Sequence, residues 1–161
     1  MQEEMGYQNV GRVYELSESG RLTKPRGGKL TVDTMALNTL LFMAHSTYDW
    51  PPSERMSANM IPARLYTLGW RGIAKALGMT LLSFEQLQSG EDSEAMMKTR
   101  ETTAKNRISQ TWKDLAERGL IKQLYPQSLG KNAGYLLLIG DPMENREVEA
   151  WARRCLGLPK A

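Results

Sequence analysis

The stretch AKNRISQTWKDLAERGLIKQLYPQSLGKNAGYLLLIG, residues 104–140, decides how the rest of the chain is read. Its first half has a helical period: Ala104, Ile108, Trp112 and Leu115 recur at intervals of four, four and three, on one side of a helix. Gly119 follows where a left-handed terminator belongs. The second half changes period. Residues 120–126 and 133–139 are apolar runs separated by QSLGKN, whose Gly130 and Asn132 suit a turn, so the chain folds back as a hairpin with Lys131 at its tip.

The other side of this helix holds Arg100, Lys105, Asn106, Arg107, Ser109, Gln110 and Lys113. Arg and Lys donate to phosphates, Asn and Gln match base edges, and an α-helix fits the width of the major groove. Outward charge by itself usually marks only a solvated face. Here it is followed by a hairpin with another basic residue, Lys131, at its tip. The charge is also local: residues 98–122 hold seven basic side chains against three acidic ones, and residues 84–97 hold four acidic and no basic ones. The chain as a whole carries only +3.

Working back, the apolar positions reach Met97, so the helix starts at Glu94 behind Ser93, or else near Thr102 or Thr103; the pattern fits both. Before it, residues 79–93 begin apolar, as MTLLSF, which is expected to pack on the core, and end in an exposed SGED turn. WRGIAKALGM, residues 70–79, places Trp70, Ile73, Ala74 and Leu77 on one helical face with Gly78 as its cap, after a short strand within IPARLYTLG. Thr31 or Asp33 caps an earlier helix that runs to about Tyr48, and WPP at 50–52 stops it. Residues 1–30 read as a polar, loosely attached arm in which GRVYEL alternates like a brief strand. Residues 141–161 read as a helix opened by Asp141 and Pro142, with Val148, Trp151, Ala152 and Cys155 in an apolar stripe.

Composition removes several classes. With 161 residues, 41% of them hydrophobic and 24% charged, the chain can bury one core without staples. A single cysteine, Cys155, cannot close an internal disulfide, and a single histidine, His45, cannot build a multi-histidine metal site. There is no Gly-rich phosphate loop and no spacing that supports a Ser/His or Cys/His pair, so no enzyme, metal or cofactor is expected. The longest apolar cluster, MALNTLLFMA at 35–44, is too short to span a bilayer, and no secretion signal is visible, which gives a cytoplasmic expectation.

The order helix, strand, helix, helix, strand, hairpin, strand over residues 31–140 is similar to the winged helix-turn-helix superfamily. The resemblance rests on LYTLGWRGIAKALGM, AKNRISQTWKDLAERGLI and KQLYPQSLGKNAGYLLLIG. It implies a mainly α fold with a small antiparallel β-wing: an arm at 1–30, the winged domain at 31–140 and a C-terminal helix at 141–161. About twenty residues separate Gly78 from Thr99, more than the superfamily normally has, so either the third helix begins early or an acidic insert occupies 79–98. The implied function is sequence-specific binding of double-stranded DNA as a transcriptional regulator. Arg100, Lys105, Asn106, Arg107, Ser109, Gln110 and Lys113 then face the DNA, and Lys131 reaches a flanking phosphate or minor groove. The superfamily also includes plasmid and phage replication or partition proteins, and interaction modules that no longer bind DNA. A homodimer is expected, through the stripe of Val148, Trp151 and Cys155 or else through residues 35–42 of the earlier helix, although a stripe of that size usually packs on its own domain.

Overall fold

The computed structural model describes residues 4–90 and 92–161, and its chain is mainly helical with two small antiparallel sheets. Helix α1 (Tyr7–Glu18) overturns the first expectation. GRVYEL lies inside it: Val10, Val13 and Leu16, three residues apart, turn to one side, with Val13 fully buried and the other two packed against the same core. The helix has no capping side chain of its own at Gly6. Its first amides are satisfied from a distance: Asp49 Oδ1 accepts from the Asn9 amide at 2.9 Å, and Asp49 Oδ2 from the Gln8 amide at 3.3 Å. The buried Asn9 side chain donates to Thr47 Oγ1 and to the Tyr48 carbonyl, at 3.0 and 2.8 Å. Residues 7–18 are therefore a layer packed on the core, not part of a loose arm.

A hairpin follows, β1 (Thr23–Arg26) and β2 (Lys29–Val32), paired from Thr23↔Val32 to Arg26↔Lys29. Its two-residue loop, Gly27 and Gly28, has φ of 59° and 79°, the left-handed pair that a tight hairpin turn requires. Asp33 caps α2 (Thr34–His45) by accepting from the Ala36 amide at 3.2 Å, and its other oxygen binds Arg118 at 2.7 Å. The helix ends at His45, short of Tyr48, and buries Ala36, Leu40, Met43 and Ala44. Beyond the one-turn α3 (Glu54–Ala58) come the two-residue β3 (Leu65–Tyr66) and α4 (Gly69–Ala76), which buries Ile73 and Ala74 and stops at Gly78 with φ 64°.

The segment between α4 and the long helix is not the core-packed run expected. It holds a short helix, α5 (Phe84–Gln88), and Leu81, Phe84 and Leu87 stand in solvent. Asp92, not Ser93, caps α6 (Ser93–Glu117), so the earlier of the two starts holds. Ala104, Ile108, Thr111 and Leu115 are the buried side of α6.

The second sheet has the order β3-β5-β4, with β4 (Ile121–Tyr125) and β5 (Gly134–Leu137) antiparallel and β5 central. Alternate residues of β5 face opposite ways, so Tyr135 and Leu137 meet the main core while Leu136 meets α7 (Pro142–Leu156) on the far side. There Val148 and Ala152 are fully buried against Leu136, among Trp50, Leu124 and Leu138. Trp151 Nε1 donates to the Ile61 carbonyl at 3.0 Å, and Cys155 is half-buried. This corrects the expected dimer surface: Val148 is core of its own chain, and Trp151 is tied to it. Burying the stripe on β5, the element just before α7 in the chain, is worth about 1.5–3 kcal/mol for a side chain such as Val148.

Candidate nucleic-acid interface

Because one side of α6 is held in the core, the helix presents a fixed outer face. Lys105, Asn106, Ser109 and Lys113 are exposed on it, and among the described residues their side chains make no hydrogen bond or ion pair. Three of them, Lys105, Ser109 and Lys113, line one side of a groove of about 380 Å³ that runs between α6 and the β4–β5 hairpin. Gln123, Gln127 and Asn132 line the opposite side, and Gly69 and Trp70 at the start of α4 close one end. The floor is aromatic. Trp112 and Tyr135 lie with ring centroids 4.5 Å apart at 31°, and Trp112 Nε1 points away to Met43 Sδ at 3.3 Å, which fixes the indole. Burial raises the Tyr135 phenol above its ordinary pKa, so it stays neutral.

The hairpin is pinned to the start of α4. Asn132 Nδ2 donates to the Thr67 carbonyl at 3.1 Å, and Gly69 sits beneath the Asn132 amide with φ 69°. A Cβ at Gly69 would lie 2.8 Å from Asn132 Oδ1, so both the backbone angle and the close approach need glycine. At the tip, Ser128 and Lys131 exchange backbone hydrogen bonds of 3.0 Å around Leu129 and Gly130. The Lys131 ammonium lies 4.3 Å from the centre of the Tyr125 ring, exposed but steered along the hairpin by that cation–π contact.

The remaining expected residues take different positions. Gln110 is exposed, with Nε2 donating to Asp114 Oδ1 at 3.0 Å one turn on. Arg107 lies on the α2 flank of the helix, its Nη2 3.9 Å from Met35 Sδ. Arg100 is an anchor: Nε and Nη2 both donate to the Leu81 carbonyl, at 3.0 and 2.5 Å, so the guanidinium holds the α4–α6 connection. The groove thus gathers Lys105, Ser109 and Lys113, with Asn106 beside them, but not Arg100 or Arg107. The sequence reading missed Gln123, Gln127 and Tyr135 as groove residues. The period-two alternation of GYLL was the available signal for Tyr135, since it sends that ring to the face opposite Leu136.

Chemically, the arrangement offers two ammonium groups, a hydroxyl and several carboxamides around an apolar floor, which can hold an anionic backbone and hydrogen-bond to polar edges. Among the described residues there is no cluster of His, Cys, Asp and Glu able to hold a metal ion, and no helix long and apolar enough to cross a membrane. Comparison with protein-family models, with curated proteins and with solved structures finds no match.

Proposed function

We propose that this chain is a winged helix-turn-helix protein that binds double-stranded DNA sequence-specifically and acts as a cytoplasmic transcriptional regulator, by binding and without catalysis. The succession α2, β3, α4, α6, β4, β5, with sheet order β3-β5-β4, supports that reading. The observation that carries it is the unpaired row of Lys105, Asn106, Ser109 and Lys113 on a rigid helix beside the groove. A side chain left without partners on a fixed face is free to pair with a ligand.

In this reading α6 enters the major groove. Asn106, with Gln110 beside it, reads base edges, Lys105 and Lys113 meet phosphates, and the β4–β5 hairpin is the wing, bringing Lys131 to the flanking backbone. Arg107 reaches the backbone from the α2 side, and Arg100 contributes by holding the α4–α6 connection. Selection from random duplexes, followed by titration of the selected site across a salt series, tests the proposal. A single enriched motif with affinity falling steeply with salt supports it. No enrichment, or binding indifferent to salt, refutes it.

A further inference from the structure

Two exposed surfaces away from the α6 groove complement each other. The first is a knob. Leu81, Phe84 and Leu87 are 69%, 73% and 59% exposed, spaced three residues apart on α5 and its approach. The knob is held in shape by a reciprocal capping pair, in which the Gln86 amide donates to Ser83 Oγ at 3.1 Å and the Ser83 amide to Gln86 Oε1 at 2.8 Å, and by Arg100 on the Leu81 carbonyl. Its rim carries more acid than base: Glu85 and Glu94 are exposed and make no ion pair among the described residues, and Glu94 and Glu101 line the same shallow pocket as Leu87 and Met97, with Lys98 the one cation of that lining.

The second surface is a groove of about 700 Å³ on the outer face of α7, between the helix and the tail that turns back after Gly157. Ala150 and Leu158 line it, and Arg146, Arg154 and Lys160 form a cationic rim; Arg146 and Lys160 make no ion pair among the described residues. The tail is fixed in place: the Leu158 amide donates to the Arg153 carbonyl at 2.8 Å, and Arg153 Nη1 to the Pro159 carbonyl at 3.0 Å. The groove exists before anything binds it.

An apolar knob with an acidic rim and an apolar groove with a basic rim, at different places on one chain, define a heterologous contact. We propose that copies of this chain associate head to tail, the α5 knob of one seated in the α7 groove of the next. Either surface meeting itself would set like charges against each other, which disfavours a two-fold pair. Each contact leaves one knob and one groove free, so the assembly grows as a ring or an open row. Neither surface includes a residue of the α6 groove, so the contact does not require α6 to bind DNA.

The experiment is light scattering of the full chain over a concentration series, with Phe84→Glu and Arg146→Glu prepared separately and circular dichroism confirming their folds. The wild type should climb in mass well above 18.2 kDa with concentration, more so at low salt, while each variant stays monomeric. An equimolar mixture of the two variants should then stop at twice the monomer mass, because the Arg146→Glu knob still fits the Phe84→Glu groove and nothing can be added further. A mixture that stays monomeric beside an associating wild type overturns the proposal, as does association of either variant alone. A wild type at 18.2 kDa throughout also overturns it and leaves the knob to a basic, apolar partner of another sequence.

Discussion

Arg64 offers the sharpest test of what holds α1 and α7 to the sheet. It is 1% exposed, its Nε donates to Asn9 Oδ1 at 2.8 Å, and its Nη1 meets Glu144 Oε2 at 3.0 Å. Burial lowers the pKa of its guanidinium from the ordinary value, opposed by the bond and charge of Glu144, and the group remains charged at any working pH. Replacing it with methionine keeps the apolar stem and removes the donors. Asn9 Oδ1 is then buried without this partner, at about 1–3 kcal/mol. Glu144 loses less, since Arg12 still lies 3.3 Å away and the carboxylate side chain is 20% exposed. Removing a buried guanidinium returns part of its desolvation cost, so the net should fall somewhat below the ~3–5 kcal/mol of a broken, fully buried pair, at about 2–3 kcal/mol. Urea unfolding measures this directly, and the melting temperature should drop by roughly 5–10 °C. A double-mutant cycle with Glu144→Gln should show coupling of about 1 kcal/mol. A loss under about 0.5 kcal/mol would show that the network holds nothing together, since it is smaller than the weakest buried hydrogen bond invoked.

Four further outcomes are expected. Asn106→Ala should weaken binding to a selected duplex by about 1–3 kcal/mol with circular dichroism unchanged, and Lys131→Ala should weaken specific and random duplexes alike while lowering the salt slope by roughly one; fluorescence anisotropy reads both. Gly69→Ala, which combines φ 69° with a clash on Asn132, should destabilise by about 1–2 kcal/mol in thermal unfolding. Glu149 is pushed up by burial but pulled down further by its bonds to Lys122 and Arg153, leaving its carboxyl below the ordinary 4.5. A depressed carboxyl stabilises above its unfolded value and loses that contribution as pH falls from about 4.5 through the lower folded value, so Glu149→Gln should flatten the acid limb of the stability profile in that window.

What could be read in advance was what short-range pattern encodes. The 3.6-residue period of α6, the change of period at Gly119 and the turn at Gly130 all lie within one continuous stretch. Helix α1 did not, because its apolar side is three residues in a polar segment and its cap, Asp49, is forty residues away. The β1–β2 turn was present as RGGK, but polar flanks hid it. MTLLSF failed in the opposite sense: hydrophobicity says what burial would stabilise, not whether a partner surface lies within reach, and only Met79 finds the core. The face of α6 was legible as a list of residues, whereas its division between groove, α2 flank and Leu81 carbonyl depends on neighbours that no local window contains.

Strand β5 is a partition one residue thick. Tyr135 belongs to the groove beside α6, while Leu136, the next residue, belongs to α7, and no spare layer separates the two compartments. Whatever loads or displaces α7 therefore leans on the wall of the other room. Leu136 and Tyr135 share one peptide, so a backbone displacement at Leu136 has only a single Cα–Cα step in which to be absorbed before the Tyr135 ring.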